Sequence, residues 1–129
     1  MAIIGSILIA AAALVHLGFF AVQSVLWSGP GVWSRFGIGS QHDADVVRPV
    51  AYSQGFYNLF LAGGSLVGLV LYWTTLRDVG FGLIFFCGVC MVLASLVLLT
   101  IARRFWLLAL VEGGIPAIGL ILFVVAENS

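Results

Sequence analysis

Residues 80–102 read GFGLIFFCGVCMVLASLVLLTIA, a run without a single charged side chain. Its length matches the roughly 20 apolar residues needed to cross the hydrocarbon core of a bilayer. Lipid cannot satisfy backbone N–H and C=O groups, and the run lacks the period-2 alternation of a barrel strand, so it must be a helix. Working outward, residues 2–27, 50–73 and 106–126 have the same character. The sequence therefore predicts one all-α domain over residues 1–129, a four-transmembrane-helix bundle with spans at about 2–27, 50–73, 80–102 and 106–126. The connections 74–79 and 103–105 are short enough to force antiparallel neighbours. Residues 28–49, which carry Gly29, Pro30 and Gly31, are the one connection long enough to act as a lid. There is no internal repeat.

Composition points the same way. Of 129 residues, 63% are hydrophobic and 8% charged, against about 45–50% and about 25% in a soluble domain. A chain this short exposes much of its surface in any fold, so the apolar excess must face membrane lipid. Net charge is zero and all five basic residues are arginine. Nothing in that balance points to a nucleic-acid partner, an acidic substrate or a polybasic lipid-binding patch.

Ala10 to Ala13 supply small residues of the kind a signal peptidase accepts. No positive n-region precedes Ile3, however, and the apolar run continues past His16 and Phe19 to Trp27, so the first span is expected to be retained. Arg35, Arg48, Arg103 and Arg104 lie in the first and third connections and Arg77 alone in the second. The positive-inside rule then places both termini outside the cytoplasm. Trp27, Trp33, Trp73 and Trp106 are expected at the interfaces, as an aromatic belt.

The informative residues are the polar ones inside the spans, which are costly in hydrocarbon and usually face the bundle interior or a wet cavity. His16 and Gln23 lie seven residues apart and so share a helix face; Gln54, Asn58 and Ser65, with Tyr57 beside them, form a second stripe. Glu112, the one carboxylate within a span, must be protonated or held by donors from other helices. It precedes Gly113, Gly114 and Pro116, which thin the last helix and free a carbonyl one turn below the proline. Counted at 1.5 Å per residue from Trp27, Pro49 and Trp106, Gln23 lies about 6 Å deep, Gln54 about 8 Å, Glu112 about 9 Å, Asn58 about 14 Å and His16 about 16 Å. These depths predict a polar pocket in the cytoplasmic half of the bundle, with Glu112 in contact with His16, Gln23 or the Gln54 to Asn58 stripe. Taken singly, Gln54, Ser65 and Ser95 also suit plain interhelical hydrogen bonding, worth about 0.6–2 kcal/mol each.

Other constellations carry less. Cys87-Gly-Val-Cys90 has C-x-x-C spacing and resembles, in that alone, the active pair of the vitamin K epoxide reductase type of oxidase. That chemistry needs a second cysteine pair, and this chain has two cysteines in total, so buried hydrophobes are expected. Gly64-x-x-x-Gly68 permits close helix approach, within the bundle or between subunits. His16 and His42 have no acidic or cysteine neighbour at ligand spacing, so neither a metal nor another cofactor is indicated.

Ala13-Leu-Val-His16, Trp27 with Pro30, Arg35-Phe-Gly37 and above all Gln54-Gly-Phe-Tyr-Asn58-x-x-Leu-Ala62 together resemble a small bacterial membrane-protein family, domain of unknown function 1304. Gly114-Ile-Pro-Ala117 is similar to that family's C-terminal Gly-x-Pro-Ala. The resemblance covers essentially the whole chain and implies four membrane helices, with no activity attached. It also marks departures. The family carries an acid one or two turns after the histidine, where this chain has Gln23, and commonly Asn where this chain has Ser53; near the last Gly-Pro a family glutamine is replaced by glycine beside Glu112. Such an exchange would keep one acid and one amide between the first and fourth helices.

The expected function is binding of a small hydrophobic or amphipathic molecule by His16, Gln23, Gln54, Tyr57, Asn58 and Glu112. Trp33, Phe36 and Ile38 would cover the entrance, and Glu112 or His16 would be the catalytic group of any acid–base step. The rivals are a homo-oligomeric small-molecule transporter using Glu112 and a structural membrane subunit without a ligand.

Overall fold

Each apolar run forms a helix in the computed structural model, which describes residues Met1–Ser129. Helix α1 covers Ala2–Phe20 and is prolonged by a π-helical turn, Ala21–Val25. A short helix α2, Pro30–Trp33, starts with proline at the position where a missing N–H costs nothing, and passes into a 3-10 turn, Ser34–Phe36. That turn ends at Gly37, whose φ of 80° suits a residue without a Cβ. Helix α3 spans Gln41–Tyr72 and α4 spans Arg77–Ile101. A 3-10 turn, Arg103–Phe105, leads to α5, Trp106–Ala109, then to a second π-helical turn, Leu110–Gly114, and to α6, Ile115–Glu127. The chain has no strands, and four stretches, Ala2–Val25, Gln41–Tyr72, Arg77–Ile101 and Arg103–Glu127, are long and apolar enough to cross a membrane. It is an all-α, multi-pass membrane protein.

The largest difference from the sequence expectation is the start of α3, at Gln41 rather than near Val50. The Ser40 hydroxyl accepts the Asp43 backbone N–H at 3.1 Å, and Gln41 donates to Asp45 at 3.0 Å one turn on. This capped first turn carries the helix through Pro49, which lacks only the bond to the Asp45 carbonyl. At 1.5 Å per residue the 32 residues of α3 extend about 48 Å, well beyond a core of about 30 Å. Pro49 is therefore not a boundary marker. Counting about 20 residues back from Trp73 puts the far edge of the hydrocarbon near Ser53, so Gln54 and Tyr57 sit closer to the interface than a count from Pro49 gives.

The packing resolves into two compact units, Met1–Val15 with Leu61–Ser129, and His16–Phe60. In the first, Ile9, Tyr72, Ile84, Leu120 and Phe123 form the core. Helices come close where glycine leaves room: a Cβ on Gly68 would lie 3.0 Å from the Gly80 carbonyl, and one on Gly119 would lie 3.1 Å from Ile9. The Gly64-x-x-x-Gly68 pair thus packs α3 against α4 within the chain, with Gly64 facing the Cys87 sulfur. Both cysteines are free thiols.

In the second unit, Trp27, Trp33, Ala44 and Ala51 form a buried cluster against which Val32, Phe36, Ile38 and Val47 pack. The Trp27 indole donates to the Ala44 carbonyl at 3.0 Å, and that of Trp33 to the Gln41 side chain at 3.2 Å. Those two tryptophans are core, not belt. Trp73 and Trp106, just before and after α4, are exposed as a belt requires.

Candidate functional site

Helices α1 and α3 meet through three adjacent contacts within the His16–Phe60 unit. The Asn58 side-chain amide donates to the Gln23 carbonyl oxygen at 2.8 Å and to its own helix at the Gln54 carbonyl, 3.2 Å away. The Ser24 hydroxyl donates to the Tyr52 carbonyl at 2.8 Å and occupies the place a Cβ on Gly55 would take. Phe20 stands edge-on to Phe56 at 5.1 Å, within an aromatic row that continues to Tyr52 and Phe60. His16 is fully buried and lies edge-on to Phe19 at 5.6 Å.

The stretch from Gln54 to Ala62 therefore divides by role. Gly55, Phe56 and Asn58 hold α1 against α3, and Ala62 is fully buried. Gln54 and Tyr57 do not share in this: both are exposed, Tyr57 at 58%, and neither polar end hydrogen-bonds within the chain. Ser65, two turns beyond Asn58, is buried among the packed helices of the other unit.

Gln23 and Glu112 share a local feature. Each lies in a π-helical turn, Ala21–Val25 for Gln23 and Leu110–Gly114 for Glu112. Such turns insert one residue and are frequent at functional sites. The first closes with the Leu26 N–H on the Ala21 carbonyl at 2.9 Å, five residues back. The second precedes Pro116, which offers no N–H to the Glu112 carbonyl and whose ring would crowd it in a regular helix. A glycine–serine contact anchors each turn: Ser24 on Gly55 of α3 in one, and Ser95 of α4 on Gly113 in the other. Glu112 itself is partly buried.

A polar cluster that the sequence did not single out closes one end of the Met1–Val15 and Leu61–Ser129 unit. The Tyr72 hydroxyl donates to the Glu127 carboxylate at 2.6 Å, and Arg77 donates to the same oxygen at 2.8 and 3.2 Å. Arg77 also donates to the Tyr72 hydroxyl and lies 4.3 Å from the centre of its ring. The Trp73 indole donates to the Ser6 hydroxyl at 3.1 Å. This ties the ends of α1, α3, α4 and α6 together and leaves Arg77 and Glu127 engaged with one another. The one available signal was the pairing of a lone arginine at the start of a span with a lone acid at the end of another. No group of three or more His, Cys, Asp or Glu side chains is arranged to hold a metal ion.

No curated protein and no solved structure matched the chain. A family model described as "Protein of unknown function (DUF1304)" matches residues 10–124. That span takes in all the residues discussed in both helix-to-helix sites except Glu127 and Ser6, and with nearly the whole of 129 residues covered, the chain belongs to the DUF1304 family.

Proposed function

We propose that the protein binds a small amphipathic or hydrophobic molecule at the face of α3 that carries Gln54 and Tyr57, beside the Gln23–Asn58 amide pair. The observation that supports this is the division within the family-specific stretch. Its packing residues are engaged, while an amide and a phenol in the same two turns remain exposed with their hydrogen bonds unmade. Near the edge of the hydrocarbon such groups suit the polar end of an amphipathic ligand whose apolar part lies along Phe60. His16 lies in the same unit as this face, and any proton exchange with the ligand falls to it. The orientation proposed with this reading has both termini extracytoplasmic, from the arginine bias, and the resemblance to a bacterial membrane-protein family supports a bacterial inner membrane.

The test is native mass spectrometry of the protein extracted from its membrane in mild detergent. A bound small molecule retained by the unaltered protein and lost from Tyr57→Phe and Gln54→Ala, with unchanged melting temperatures, supports the proposal. Equal retention in both variants, or a protein that carries nothing, contradicts it.

A further inference from the structure

Helix α4, with its 25 residues, extends about 37 Å, slightly more than the hydrocarbon thickness, so its two ends reach the two headgroup layers. At its C-terminal end lies a recess of about 400 Å³ lined by Leu99, Thr100, Arg103 and Trp106. Three properties define what it fits. First, Trp106 is exposed in the position of a belt residue, which puts the recess at headgroup level. Second, the Arg103 guanidinium meets no carboxylate and stacks on no ring, whereas its neighbour Arg104 lies over Phe105 at 4.8 Å. Third, none of the five acidic residues lines the recess, and its apolar side, Leu99, shares a helix face with exposed Leu96, three residues before it.

From this we infer that the recess is a binding site for an anionic phospholipid, with Arg103 on the phosphate, the Trp106 indole N–H as a second donor and Leu99 against the start of an acyl chain. A guanidinium fork matches phosphate oxygens, and a basic residue at the membrane surface favours an anionic over a zwitterionic headgroup. Neither Gln54 nor Tyr57 lines the recess, so its failure leaves the proposed function untouched.

Purified protein in an uncharged detergent, titrated with phosphatidylglycerol, phosphatidylcholine or inorganic phosphate and read by native mass spectrometry, tests the assignment. Phosphatidylglycerol should bind roughly fivefold more tightly than phosphatidylcholine, and Arg103→Gln should remove that preference. Arg104→Gln, which loses the same charge, should keep it. Trp106→Leu, which keeps the span apolar, should weaken phosphatidylglycerol retention and serves as the second variant if Arg103→Gln does not fold. Equal losses in Arg103→Gln and Arg104→Gln would reduce the effect to net charge and overturn the site. Displacement of phosphatidylglycerol by an equal concentration of inorganic phosphate would assign the recess to a free anion and overturn the lipid assignment.

Discussion

Gly55 has no room for a side chain, because the Ser24 hydroxyl fills the place of its missing Cβ. Gly55→Ala should cost about 1–3 kcal/mol through overpacking, read as a lower melting temperature in detergent. Adding Ser24→Ala should return part of that loss; no recovery would mean that the clash lies elsewhere. Asn58→Ala should destabilise by about 0.6–2 kcal/mol through loss of the bond to Gln23, while Tyr57→Phe should leave the melting temperature unchanged. The Gln23 and Asn58 pairing was only partly legible: both are amides on inward faces, but counting α3 from Pro49 put them at about 6 and about 14 Å depth and made Gln54 the better match for Gln23. The exposure of Gln54 was not. Four residues of separation place it on the same side of α3 as Asn58, but about 40° of rotation decides between a face that meets α1 and one that does not.

At the scale of the element, α3 is the instructive case. Pro49 marked its start in the sequence, yet the stronger signal was Ser40 followed three residues later by Asp43, a cap that Ser40 completes by accepting the Asp43 N–H. Ser40→Ala should cost about 1 kcal/mol and fray the first turns. Amide exchange over residues 41–46 should accelerate in that variant while residues 55–70 are unaffected; unchanged exchange would show that the cap does not hold this end. The two π-helical turns were less legible, because no side-chain pattern announces one inserted residue. Gly113, Gly114 and Pro116 signalled a disturbed helix around Glu112, but nothing comparable surrounds Gln23, where the anchor is a serine meeting a glycine thirty-one positions away. Cys87 and Cys90 are free thiols on an apolar helix, and replacing both with alanine should leave folding intact, with a small loss from the Cys87 contact on Gly64.

Across the whole molecule, the existence of four helices long and apolar enough to cross a membrane was plain from composition and run length, because lipid is the environment that suits apolar stretches of this size. The Tyr72, Arg77 and Glu127 cluster escaped because Glu127 lies just past the predicted end of the last span, and Arg77 counted only toward orientation. Trp27 and Trp33 escaped because an interfacial position and a buried one demand the same amphipathic ring; only the Ala44 and Gln41 acceptors distinguish them. Four crossings predict a global property that no single contact reports, both ends on the same side of the membrane. Three single-cysteine variants, Ala2→Cys, Ser40→Cys and Ser129→Cys, in a chain with Cys87 and Cys90 changed to alanine, can be treated with a membrane-impermeant thiol reagent in intact cells. Four spans with the proposed orientation predict labelling at positions 2 and 129 and none at 40. Labelling at only one of the two ends would contradict a four-span protein, and labelling at 40 alone would reverse its orientation.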